Sequence, residues 1–334
     1  MTEVQKKPAY VMTAEEVLEL KIKEIPMLCT PILQRVGVAS LCGGSDGGKS
    51  FLCLCIAIAI CTDDNEIIGL KLSKKFGSVI IVCTEDTAED ICVRLTLLLG
   101  DKKLNGGKLR FIFESENVPR RLKEELDRQP ADLVIMDTFG DLFSGNLNDS
   151  IEVRKFLRPY KDIAKDKKCL ILFCHHIGKG KESNLSPNKN DVLGSQAIES
   201  ACRTVLMLRK RADTKRILTV VKGNNIPEEL KNKGMVLDFG PKTGFKATGD
   251  MVNFEEECND KEEDSGKASL EQGVADLYPK LKSYAKVADA LRKAGYKIDK
   301  NKVGKLWKEN RPSVPKPKEN DGTDESIINE SKEM

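Results

Sequence analysis

Eight consecutive residues have the types and spacing that grip phosphate. Gly43-Gly44-Ser45-Asp46-Gly47-Gly48-Lys49-Ser50 satisfies G-x-x-x-x-G-K-[ST]. Glycines let such a loop wrap tightly, so that successive backbone N–H groups aim at phosphate oxygens. Lys49 supplies charge for the β- and γ-phosphates, and the Ser50 hydroxyl is a ligand for Mg²⁺. A helix opening here adds the positive end of its dipole. Phe51, the next residue, completes the expected contact set. The implied ligands are ATP and Mg²⁺.

A loop of this kind works with a carboxylate that shares the metal. Asp137 closes the apolar run Leu133-Val-Ile-Met and is placed to do so. A glutamate directly after that Asp would be the usual base, but Thr138 and Phe139 stand there. Glu85 follows the preceding apolar strand and is the expected base, orienting and activating the attacking water. An open parallel sheet binds its ligand at the carboxyl ends of its strands. Asp137, Glu85 and the pair His175-His176 all fall at such ends.

The elements that must position these residues alternate. Val36–Cys42, Ser78–Cys83, Leu109–Phe113, Leu133–Asp137 and Cys169–Cys174 read as short apolar strands. Ser50–Cys61, Thr87–Gly100, Pro119–Gln129 and Ile151–Lys165 read as helices. Thr87 and Asp90 have capping-box spacing, and Pro159 predicts a kink or break. Strand–helix alternation specifies an α/β fold with a mostly parallel sheet. After residue 200, runs at 204–208, 216–221, 235–239 and 245–248 are separated by short polar turns. They read as antiparallel strands added at one edge.

Composition narrows the setting. The chain has 334 residues, with 55 Lys+Arg against 52 Asp+Glu, so a uniformly basic coat is excluded. Its longest apolar run, Phe51–Cys61, has eleven residues, whereas a spanning helix needs about 20. No membrane association is expected. The N-terminal MTEVQKKPAYVMTAEE lacks the apolar stretch of a secretory signal. The eleven cysteines form no C-x-x-C and lie mostly in apolar runs. Reduced thiols packed as small hydrophobes in a cytoplasmic protein are the expected state.

GGSDGGKS, the strand before Glu85, LVIMD, ILFCHHIGK, Leu193-Gly-Ser-Gln-Ala197 and Lys222-Gly-Asn-Asn225 together resemble the RecA/DnaB superfamily of ring-forming ATPases. Within it they look most like the RepA-type branch of hexameric replicative helicases of plasmids and other mobile elements. The resemblance spans about residues 10–250. It implies a RecA-like P-loop core, ATP hydrolysis at subunit interfaces of a homo-oligomer, single-stranded DNA in a central channel, and replication proteins as partners. An ATPase used as a DNA-bound switch without unwinding is the alternative.

By position, the resemblance carries roles onto further residues. The histidines take the place of a γ-phosphate sensor. Neighbouring strand residues face opposite ways, so one of them reaches the nucleotide, and His176 is favoured. A cation contributed to the neighbouring subunit falls to Arg203 or Lys222, with Arg203 slightly preferred. The polar stretch 178–190 takes the place of a DNA-facing loop, with Lys179, Lys181 and Lys189 as phosphate contacts.

From Ala268 to Pro312, Lys and Arg number 11 and Asp and Glu 5. Short helices around Gly295, the last carrying Lys300, Lys302, Lys305 and Trp307, suit a helix-turn-helix-like module that binds DNA. A small bundle with Trp307 in its core is the other reading. The expected organisation is an N-terminal tail at 1–9, an ATPase domain at 10–250, an acidic linker at 251–267, the helical module at 268–312 and a disordered tail at 313–334.

Overall fold

Residues 11–177, 195–212, 214–231, 233–254, 270–294, 296 and 298–309 are described by a computed structural model. The chain divides into two compact units, Met1–Cys258 and Asn259–Met334.

The strands of the first unit are β1 (Met27–Thr30), β2 (Leu33–Gln34), β3 (Gly37–Gly43), β4 (Glu66–Ile67), β5 (Leu70–Leu72), β6 (Val79–Cys83) and β7 (Leu109–Ile112). They continue with β8 (Leu133–Asp137), β9 (Leu170–His176), β10 (Thr204–Ala212), β11 (Lys215–Gly223), β12 (Lys233–Gly240) and β13 (Gly244–Asn253). The helices are α1 (Ala14–Leu18), α2 (Lys49–Cys61), α3 (Ala88–Leu99), α4 (Val118–Arg128), α5 (Phe139–Leu142), α6 (Ser150–Lys167) and α7 (Ser195–Ala201).

The main sheet has the order β13-β12-β11-β10-β3-β9-β8-β6-β7. From β10 to β7 every pairing is parallel. The strands β11 to β13 add antiparallel. The run at 204–208 therefore departs from expectation, because β10 lies parallel to β3, with Thr204 beside Ala39. A crossover through α7 returns the chain to the start of the sheet, and a strand entered that way runs parallel. A second, antiparallel sheet, β2-β1-β5-β4, escaped the sequence reading. Its strands are two to four residues long, too short to show a period.

Alternate strand residues feed two separate cores. Leu133, Ile135, Leu170, Leu172 and Cys174 join α2 in one cluster. Val134, Met136, Ile171 and Phe173 join α4, α6 and α7 in the other. Helix α2 lies almost wholly inside, buried from Leu52 through Cys61, which explains why its sequence is apolar all round. The Thr87–Asp90 capping box forms at the start of α3. Helix α6 runs unbroken across Pro159. Burial of Val153, Leu157, Tyr160 and Ile163 offsets the hydrogen bond that proline cannot make.

Ten cysteines in the described residues are free thiols, all buried except Cys92. Among the described residues, no helix is long and apolar enough to cross a membrane.

The second unit contains α8 (270–281), α9 (Tyr284–Lys293) and α10 (Lys300–Glu309). Val274, Val287, Leu291, Val303 and Leu306 form its core. Trp307 is half-buried against Tyr278, with ring centroids 4.6 Å apart. Gly295 and the stretches expected as tails lie outside the described residues, as does most of the expected linker.

Candidate functional site

Strand register brings the singled-out residues together. Gly43 at the end of β3 pairs with His176 at the end of β9. Cys83 at the end of β6 pairs with Asp137 at the end of β8. The phosphate-type loop, Asp137 and the Thr84–Glu85 turn thus share one edge of the sheet. A cavity of about 500 Å³ opens there, lined by Ser45 to Phe51, Glu85, Asp137, His176 and Phe239 among others. That volume is in the range of small-molecule sites.

The loop leaves β3 at Gly43, where an added Cβ would lie 2.5 Å from the Leu208 carbonyl oxygen. Gly48 caps α2 with φ +93°, a left-handed conformation that glycine adopts without strain. Lys49 is buried, and its Nζ donates to the carbonyls of Gly43 at 3.1 Å and Gly44 at 2.9 Å. The ammonium is thereby fixed over the loop.

Ser50 and Asp137 meet directly. The Ser50 hydroxyl and the Cys174 thiol hydrogen-bond the Asp137 carboxylate, while burial, the larger effect, pushes its pKa up. Burial also raises Glu85, aided by the carboxylates of Asp141 and Asp137. His176 is half-buried, and burial, then the Lys49 charge, lower its pKa. His175 faces the other core, 5.0 Å from the Phe139 ring. The two histidines divide by parity: His176 shares its face with Leu172 and Cys174, and His175 with Ile171 and Phe173.

The residues present suit Mg²⁺. A hydroxyl and a carboxylate in contact, beside a phosphate loop, are the protein share that this ion takes, the rest being water and phosphate. Among the described residues, no three His, Cys, Asp or Glu side chains cluster as a fuller metal site.

Sequence reasoning missed part of the wall. Arg216 on β11 is buried, donates from Nε to the Gly47 carbonyl at 2.9 Å, and stacks over Phe239 at 4.6 Å. Phe239 in turn meets Phe51 edge-on at 5.6 Å. Arg94 forks onto the Asp86 carboxylate and sits 5.3 Å above Phe51. Arg216 and Gly47 are 169 residues apart in the chain, and no motif links them. Arg94 was within reach, since it follows Asp86 by eight residues on the helix that Thr87 caps.

Arg203 and Lys222 lie elsewhere. The Arg203 backbone N–H donates to the Val38 carbonyl, and the Arg203 side chain is exposed beside Gly37. Lys222 donates from Nζ to the Cys202 carbonyl at 3.0 Å. Both sit at the start of β3, six strand steps or about 20 Å from the loop at its end. Neither reaches the cavity of its own subunit. Lys300, Lys302 and Lys305 are exposed on α10 of the second unit. Lys179, Lys181 and Lys189 lie outside the described residues.

A parallel sheet with a phosphate loop at one strand end and acidic residues at the neighbouring ends defines a class, the P-loop ATPase with a RecA-like fold. The chain belongs to the family described as AAA domain, whose model matches residues 6–182, just over half of its length. Among solved structures it is similar to one described as an "ATPase Domain", with a TM-score of 0.53 and 13% identity over 72% of this chain and 95% of that one. At that identity the likeness is one of fold. No curated protein matches the chain.

Proposed function

We propose that this chain is an ATP-driven motor on single-stranded DNA that assembles as a ring, in the manner of the RepA-type hexameric replicative helicases of plasmids and mobile elements. The observation that carries the reading is the convergence of Lys49, Ser50, Asp137, Glu85 and His176 on one cavity at the strand ends. The loop N–H groups and Lys49 hold the β- and γ-phosphates. Ser50 and Asp137 hold Mg²⁺, which when bound neutralises phosphate charge. Glu85 orients water and takes its proton as the oxygen attacks the γ-phosphorus and the β,γ bond breaks. His176 donates to the γ-phosphate oxygen as its sensor.

Arg203, or Lys222, supplies the remaining transition-state charge to a neighbouring subunit. Their distance from their own loop supports action across an interface. Lys300, Lys302 and Lys305, with Lys179, Lys181 and Lys189, contact DNA phosphates. A replication protein is the further partner this role implies.

A forked duplex with a labelled strand tests the reading. ATP-dependent displacement is expected, and ATPase stimulation by single strands should accompany it. A second reading, an ATPase switch without unwinding, has one observation in its favour. Asn224 stands where a second basic residue would complete a Lys-x-Arg pair. DNA-stimulated hydrolysis with no displacement would select the switch.

The pH profile gives a sharper check on Glu85. Its carboxyl must be ionised to accept a proton, and its pKa is raised by burial and by Asp141. Activity is therefore lost as pH falls through that raised pKa. Asp141→Asn removes a negative neighbour, lowers the Glu85 pKa and moves the acid limb of kcat to lower pH. Thr84 Oγ1, which donates to Asp141 Oδ2 at 2.8 Å, can still bond the amide oxygen. An acid limb that stays in place removes Glu85 from the role.

A further inference from the structure

The metal-side carboxylate is held from behind by sulfur. Cys174 lies on β9, two residues before His176, and is fully buried on the face that meets α2. Its Sγ stands 3.3 Å from the Sγ of Cys53, which is buried in α2. Its thiol hydrogen-bonds the Asp137 carboxylate. Ser50 and Cys53 are three residues apart on α2, so they share one helix face. One helix thus reaches Asp137 twice, directly through Ser50 and indirectly through Cys53 and Cys174.

A largely buried carboxylate needs partners for its oxygens, or burial is costly. A thiol is a weak donor. It can orient the group while leaving most of its electron density for a cation. An apolar side chain of the same size would fill the space and orient nothing. Outer partners of this kind govern metal affinity about as strongly as many ligands do.

We propose that Cys174 is a positioning residue for the Mg²⁺ carboxylate, fixing Asp137 against Ser50, with Cys53 fixing the rotamer of Cys174. The inference rests on the reading of Asp137 as a metal ligand. It makes the P-loop helix and the sensor strand β9 joint supports of one carboxylate, so a shift of either element is felt at the metal.

The test uses the full chain and a fluorescent ATP analogue, titrated in EDTA and then at rising Mg²⁺. Cys174→Val should leave metal-free analogue affinity within about twofold and raise the half-saturating Mg²⁺ concentration about tenfold or more. Cys174→Ser, which keeps a donor, should restore most of the wild-type Mg²⁺ dependence. An unchanged Mg²⁺ dependence in Cys174→Val overturns the proposal, as does an equal loss of affinity with and without metal. If Cys174→Val fails to fold by circular dichroism, Cys53→Ala carries the test. It should show the same shift at smaller size, and no shift overturns the proposal. Asp137→Ala is the control for the underlying reading: if it leaves Mg²⁺ dependence intact, the assignment of Asp137 fails separately.

Discussion

Glu85→Gln is expected to bind Mg·ATP with wild-type affinity and to hydrolyse it about 10²–10⁴-fold more slowly, the usual worth of a positioned base. The substitution keeps size and hydrogen bonding but removes the proton acceptor. Three other carboxylates stand nearby, and each is engaged in another way. Asp137 takes hydrogen bonds from Ser50 and Cys174. Asp86 is forked by Arg94. Asp141 accepts from Thr84. Glu85 lines the cavity from an exposed turn at the end of β6, where a water has room beside it. Phosphate release measures turnover, and fluorescence titration of a nucleotide analogue measures binding. Turnover within about threefold of wild type would place the base elsewhere, because that loss is too small for general-base catalysis.

What the chain reveals before folding depends on how far each interaction reaches along it. The loop from Gly43 to Ser50 is legible because a phosphate grip is local: its glycines, lysine and hydroxyl must be contiguous. Strand parity is legible as well. Adjacent histidines must point apart, and the structure puts His176 in the cavity and His175 against Phe139. Arg216 and Phe239 were not legible. They reach the loop only because β11 and β12 add to the sheet beside β10, a fact of strand order rather than of spacing. The direction of β10 failed for a related reason. A short apolar run looks the same whichever way its neighbour runs, and only the crossover through α7 decides.

The costliest single change away from the cavity should be Asp132→Asn, with a loss of about 3–5 kcal/mol in stability, the range for breaking a buried charge network. Asp132 is 1% exposed and precedes β8 at the sheet end opposite the loop. Its Oδ1 accepts from the Lys75 N–H at 2.8 Å and from Arg35 Nη1 at 3.1 Å. Its Oδ2 accepts from the N–H groups of Phe76 at 2.8 Å and Gly77 at 2.7 Å. Asparagine has one side-chain oxygen, so two of these donors would face an NH₂ group instead. Each donor left unsatisfied costs about 1–3 kcal/mol. Arg35, already bonded to the Ser73 carbonyl, would also lose its counter-ion. Together these contacts fasten the segment 73–77 that feeds β6, the strand ending next to Glu85. For a unit of this size the melting temperature should fall by roughly 10 °C, at about 2–4 °C per kcal/mol. Arg35→Met should cost less, because the arginine side chain is partly exposed. Both variants should keep wild-type kcat per folded molecule at 25 °C, since the network lies a full strand length from the phosphates. Thermal unfolding followed by circular dichroism decides. A shift under about 2 °C for Asp132→Asn would mean that water replaces the lost acceptor and that the segment is not held by this carboxylate.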